Sequence, residues 1–258
     1  MMMLQRRTLL ASGLSVAALG AVGIGLWPRL DAYEDEAERQ RQLLLSDPTL
    51  AELVRMATLA ANGHNTQPWM FRLDEERVQI LPDMSRRTEV VDPDDHHLYT
   101  SLGCAAENLV IAAQAHGRTA DLSVETGAET SIDIEFRSGS ANVSALYQAI
   151  PLRQSTRSAY DGQPVSAADI DQLTKAAKEE GVSVLIFTEA SDREAILEFV
   201  VEGNSAQMDD AAFVDELRAW IRFSPDQALS SKDGLFAACS GNPVMPGWIG
   251  GAMFDVVF

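Results

Sequence analysis

Basic charge is what this sequence has least of. Its 258 residues carry 20 Lys and Arg against 38 Asp and Glu, a formal net charge of −18. Arg6 and Arg7 are the only charged side chains before Pro28, so the rest of the chain stands at −20. Such a chain lacks the basic footprint that sequence-independent nucleic-acid binding needs. It is equally unsuited to docking on anionic lipid headgroups. Cysteine is scarce too: Cys104 and Cys239 have no Cys or His nearby at metal-ligand spacing. No Cys precedes Cys104 to take a lipid anchor. There is no Gly-x-Gly-x-x-Gly after a strand pattern, no phosphate loop ending in Gly-Lys, and no Gly-x-Ser-x-Gly elbow. His96-His97 is a polar step before a helix; neighbouring side chains on a regular element point apart, so one metal rarely takes both. What is present is ordinary globular composition, 46% apolar and 22% charged. At about 100–200 residues per domain, the length allows one or two domains.

Residues 1–27 stand apart. Two Arg are followed by the uncharged, mostly apolar run Leu9–Trp27, with Gly13, Gly20, Gly23 and Gly25 inside it. A basic start and an apolar run form an export signal, and Arg6-Arg7-Thr8-Leu9-Leu10 resembles a twin-arginine signal. The alternative is a membrane anchor, since 19 residues at about 1.5 Å each just span a bilayer. Either reading predicts a periplasmic or other extracytoplasmic body, and the first makes the twin-arginine machinery its export partner.

Beyond it, residues 33–45 read as a polar helix or spacer. Asp47-Pro48 reads as a helix start, with Leu50, Leu53, Val54 and Ala57 at helical spacing up to the turn Asn62-Gly63. Residues 69–73 and 78–81 read as a strand pair, 99–116 as a helix stopped by Gly117, and 119–125 and 131–137 as strands. Further on, 166–180, 191–203 and 209–222 read as helices and Val182–Phe187 as a strand. The Gly- and Pro-rich tail 224–251 reads as loop. Helices with few, partly adjacent strands predict an α+β layered fold.

Two segments carry chemistry. In Asn62-Gly63-His64-Asn65-Thr66-Gln67-Pro68-Trp69, amide side chains and backbone donors crowd one turn beside an aromatic. Such a loop suits the polar edge of a flat heterocycle, or is simply a well-capped turn. In Arg153-Gln154-Ser155-Thr156-Arg157, two guanidinium forks and a hydroxyl suit a phosphate, or form an ordinary surface turn.

Together these residues resemble the nitroreductase family of flavin enzymes. Its Arg-x-Ser-x-Arg motif matches at Arg153, Ser155 and Arg157. Its Asn-x-Gln-Pro-Trp loop matches at Asn65, Gln67, Pro68 and Trp69, with Ala61 and Asn62 where Pro and Ser are frequent. Leu102-Gly103-Cys104-Ala105-Ala106-Glu107-Asn108-Leu109 looks like the family's core helix. The loop preceding the Arg motif is similar to the Acg-type branch, in which one chain imitates a dimer with two halves. The resemblance implies a nitroreductase-like layered fold of two half-repeats: 48–150 and an incomplete 151–258, after a spacer at 28–47. It implies FMN, with its phosphate on Arg153, Ser155 and Arg157 and its edge or ribityl chain on Asn65 and Gln67. NAD(P)H or another donor would supply electrons, and a nitroaromatic or quinone would accept them. A degenerate member that holds or stores flavin without turnover is the alternative.

Overall fold

The computed structural model describes residues 28–258 apart from 128–129, 156, 158 and 179–180. The expected export segment, 1–27, lies outside the described residues. Among the described residues no helix is long and apolar enough to cross a membrane.

The chain first forms α1 (Asp31–Gln40), all of whose side chains remain at least partly exposed. Helix α2 (Leu50–Ala57) begins two residues later than Asp47-Pro48 implies. The reason is a reciprocal cap: the Thr49 amide donates to Glu52 Oε2 at 2.7 Å, and the Glu52 amide donates to Thr49 Oγ1 at 3.3 Å. Leu53, Met56 and Ala57 are buried.

Strands β1 (Trp69–Asp74) and β2 (Arg77–Pro82) form the expected hairpin, and β3 (Arg118–Glu125) pairs with β4 (Ser131–Ser138). Together they make one antiparallel sheet in the order β1-β2-β4-β3. Val78 and Ile80, with Ile134 and Phe136, alternate along β2 and β4 onto the buried face. Over that face lies α3 (His96–Ala115), which buries Leu98, Leu102, Ala105, Leu109 and Ala112. Asp92 caps α3 by accepting from the amides of His97 and Leu98 at 3.0 and 2.9 Å. Gly117 ends it at φ +74°, a conformation that glycine adopts at no steric cost. Burying a Leu side chain this fully contributes about 1.5–3 kcal/mol, so this layer pair is the centre of stability.

Helix α4 (Ala145–Ala149) closes the first region and buries Tyr147. Then come α5 (Ala167–Ala176), α6 (Ala190–Asp209) and α7 (Ala211–Trp220). Val182–Phe187 is not a strand: those residues are exposed, and no strand among the described residues pairs with them. A β-branched run supplies propensity, but a ladder also needs a partner edge.

The tail differs more. Ser224 caps α8 (Pro225–Ser231), β5 (Ile221–Arg222) pairs in parallel with β6 (Leu235–Phe236), and α9 (Gly247–Val257) ends the chain described. Glycine works here as a point of contact rather than as a breaker. A Cβ on Gly250 would meet the Phe223 Cβ at 2.8 Å, and one on Gly247 would meet the Gln227 amide at 2.8 Å. Helices layered on an antiparallel sheet make the fold α+β, as the element pattern predicts.

Candidate functional site

Downstream of α2 the chain makes a 3-10 turn, Gly63–Asn65, and three non-glycine residues take positive φ: His64 (47°), Asn65 (52°) and Gln67 (52°). Such a cluster costs energy and persists only where the surroundings over-determine it. The surroundings here are a distant turn. Asn65 Nδ2 donates to the Gly234 carbonyl at 3.0 Å, and the Gly234 amide donates to the Asn65 carbonyl at 2.9 Å. Gln67 Nε2 donates to the Lys232 carbonyl at 2.5 Å, and the Gln67 amide donates to Asn62 Oδ1 at 2.8 Å.

Asp233 locks the pair of turns together. It accepts from Arg222 Nη2 at 2.6 Å and from Arg86 Nη1 at 2.8 Å, while the same Arg86 nitrogen also donates to the Thr66 carbonyl at 2.9 Å. Burial alone would raise the Asp233 pKa, but hydrogen bonds from Arg222, Ser231 and Arg86 hold it below the ordinary carboxyl value. Gly234 must be glycine. Its φ is +76°, and a Cβ would meet the Trp220 carbonyl oxygen at 2.5 Å and the Arg222 guanidinium at 2.8 Å.

Beside these turns lies a cavity of about 290 Å³, near the lower end of the range for small-ligand sites. Leu59, Ala60 and Leu229 supply apolar wall, and Asn65, Gln67 and Arg153 are also on its lining. Arg153 reaches it from 94 residues downstream of Leu59, whose carbonyl accepts from its Nε and Nη2 at 3.3 Å. The loop and the Arg segment are thus brought to one place.

The remaining wall comes from α1, where the sequence showed only a polar helix or spacer. Tyr33 packs on Phe236 with ring centroids 4.6 Å apart, and its hydroxyl lies 3.9 Å from Cys239 Sγ. Burial, and Cys239 next, push the Tyr33 hydroxyl up to about 12. Glu36 pairs with Lys232 at 3.2 Å. Hydrogen bonds from Gln40, Arg39 and Lys232 bring the Glu36 carboxyl down to about 2. Arg41, just beyond α1, donates from Nη1 to the carbonyls of Pro151 and Arg153, both at 2.8 Å.

The other expected site residues lie elsewhere. Pro68 and Trp69 are buried, with Trp69 in the hydrophobic core, and neither lines the cavity. Ser155 and Arg157 are exposed and do not line it either. Arg157 is still close enough to act on His64: burial lowers the His64 pKa, the Arg157 charge lowers it further, and Glu216 opposes both. Tyr33, Glu36, Arg41, Lys232 and Phe236 carried no sequence signal, because no local pattern joins residues so far apart. Among the described residues no group of three or more His, Cys, Asp or Glu is placed to hold a metal.

No family model matches the chain. Two proteins of Mycobacterium tuberculosis, from strains CDC 1551 / Oshkosh and H37Rv, are each 27% identical to it over 179 residues. Both are provisionally named NAD(P)H nitroreductase. The matched stretch is 67% of this chain and 51% of each relative, so the chain spans about half the length of the curated relatives it matches. The likeness is distant, and it supports a relationship to the nitroreductases.

Proposed function

We propose that the cavity is an FMN site and that the chain is a nitroreductase-like oxidoreductase of small molecules. One observation carries this reading. The two segments on which the resemblance rests, distant in sequence, contribute Asn65, Gln67 and Arg153 to one cavity. The residues fit the group chemically. Arg153 offers a guanidinium for a phosphate, and no carboxylate among the described residues pairs with it. The side-chain amide nitrogens of Asn65 and Gln67 are occupied by backbone carbonyls. Their oxygens have no protein donor among the described residues, so they are open acceptors for the N–H edge of a heterocycle. Bound there, the flavin would take electrons from NAD(P)H or another donor and pass them to a nitroaromatic or quinone acceptor. The protein's part is to fix the phosphate at Arg153 and to hold the acceptors rigidly on the bolted turn. The two-half layered arrangement belongs to the same reading, as does export by residues 1–27 to an extracytoplasmic site.

The visible spectrum of the purified chain with FMN, before and after NADPH without oxygen, tests it. A bound flavin band that bleaches is the expected result. A band that stays favours a chain that holds flavin without turnover, or a different donor. No bound flavin overturns the reading. Export is checked separately by Arg6-Arg7→Lys-Lys, which should stop transport by the twin-arginine route.

A further inference from the structure

The cavity contains a pair of cations without a counter-charge. Arg41 uses Nη1 on the carbonyls of Pro151 and Arg153, and Arg153 uses Nε and Nη2 on the carbonyl of Leu59. A guanidinium has five N–H donors. Arg41 Nε and Nη2 and Arg153 Nη1 therefore have no protein acceptor among the described residues. Neither side chain forms an ion pair there, in a protein with nearly twice as many acidic as basic residues. The other charges on this lining are matched: Glu36 with Lys232, and Asp233 with Arg86 and Arg222.

The two arginines also act on each other. Burial lowers the Arg153 pKa and the Arg41 charge lowers it further, while Cys104 opposes both. Arg41 is half-buried and Arg153 exposed, and like charges held side by side are unfavourable until an anion joins them. Both are fixed from behind by backbone carbonyls, so little side-chain freedom is lost when an anion binds.

Resting on the FMN reading of the cavity, we infer that Arg41 is a phosphate-binding residue. It forms with Arg153 a two-guanidinium clamp for a phosphomonoester dianion. The clamp would select the phosphorylated flavin over the same ring without its phosphate, because charge-assisted bonds to the dianion are made only by the former.

The test compares FMN with riboflavin on the full chain and on Arg41→Gln. Glutamine keeps an amide donor for the carbonyls of Pro151 and Arg153 but removes the charge. Far-UV circular dichroism confirms that it folds. The expected result is an FMN affinity at least about tenfold weaker, with riboflavin affinity changed less than about twofold. Arg41→Lys should restore part of the loss. Unchanged FMN affinity overturns the clamp. An equal loss for both ligands also overturns it, because Arg41 then shapes the wall and does not hold the phosphate. Should glutamine fail to fold, the parent chain alone decides: a preference for FMN that shrinks with added salt supports the clamp, and equal affinities overturn it. Should the parent bind neither flavin, the flavin reading fails by itself. Pyrophosphate then judges the clamp. A rise in melting temperature that Arg41→Gln abolishes supports an anion site, and no rise in the parent overturns it.

Discussion

Residues 49–150 and residues 160–209 are both built largely of regular elements, but among the described residues only the first set buries side chains. In the first, α2 and α3 lie on the four-stranded sheet and share its core. In the second, α5 and α6 bury nothing, and Leu197 and Phe199 on α6 are 58% and 76% exposed. The local signals are nonetheless good. Ser166 caps α5 by accepting from the Asp169 amide at 3.1 Å, and Asp171 pairs with Lys175 one turn later. Capping and helical spacing therefore specify a helix without specifying what it packs against. Stability resides where the packing is.

The sharpest way to break this comparison is to truncate one side chain in each region. Leu109→Ala should cost about 2–5 kcal/mol, as buried Leu truncations do. Phe199→Ala should stay within about 0.5 kcal/mol, as exposed substitutions do. Denaturant unfolding of both variants decides it, and equal losses would show that α6 is packed in solution.

A second test asks whether the bolted turns belong with the packed region. Asp233→Ala removes the carboxylate that Arg86 and Arg222 share and should cost about 2–3 kcal/mol by the same measurement. It also carries a pH signature. The folded Asp233 pKa is depressed, so its contribution is present above the unfolded value of about 3.9 and is lost as the pH falls below it toward the folded value. Asp233→Asn should flatten that part of the acid limb.

Smaller effects sharpen the picture. Thr49→Ala removes the cap of α2 and should cost about 1 kcal/mol, whereas Ser166→Ala should cost global stability less, because α5 buries no side chain. His64 gives the weakest signal. Burial lowers its pKa, so the unfolded chain binds the proton more readily, and stability should fall as the pH drops below about 6.5. His64→Gln should reduce that slope in melting temperatures measured between about pH 5 and 7, leaving the part due to His116, whose pKa burial also lowers.

Much of the packed region was legible in the sequence. The helix at 99–116 and both strand pairs follow from short-range periodicity, and Gly117 marks a true stop. The 182–187 run misled because a succession of apolar, β-branched residues reports strand propensity and not a neighbouring strand. The tail misled because Gly247 and Gly250 look like breakers until Gln227 and Phe223 are seen against them. Within the site, the turn at 62–67 and Arg153 were legible as motifs. Trp69 was legible too, but as an aromatic on the cavity rather than in the core. Arg41 was invisible, since its partners lie 110 and 112 residues away.

The bonds from Asn65 and Gln67 to Gly234 and Lys232 span 169 and 165 residues. During synthesis the turn at 62–67 leaves the ribosome long before the segment that holds it. The sheet and α3 can assemble first, since every strand of that sheet has been made by Ser138. The left-handed residues of the site must wait for residue 234. The order of translation therefore makes the cavity a late product of folding, assembled only after the scaffold beneath it.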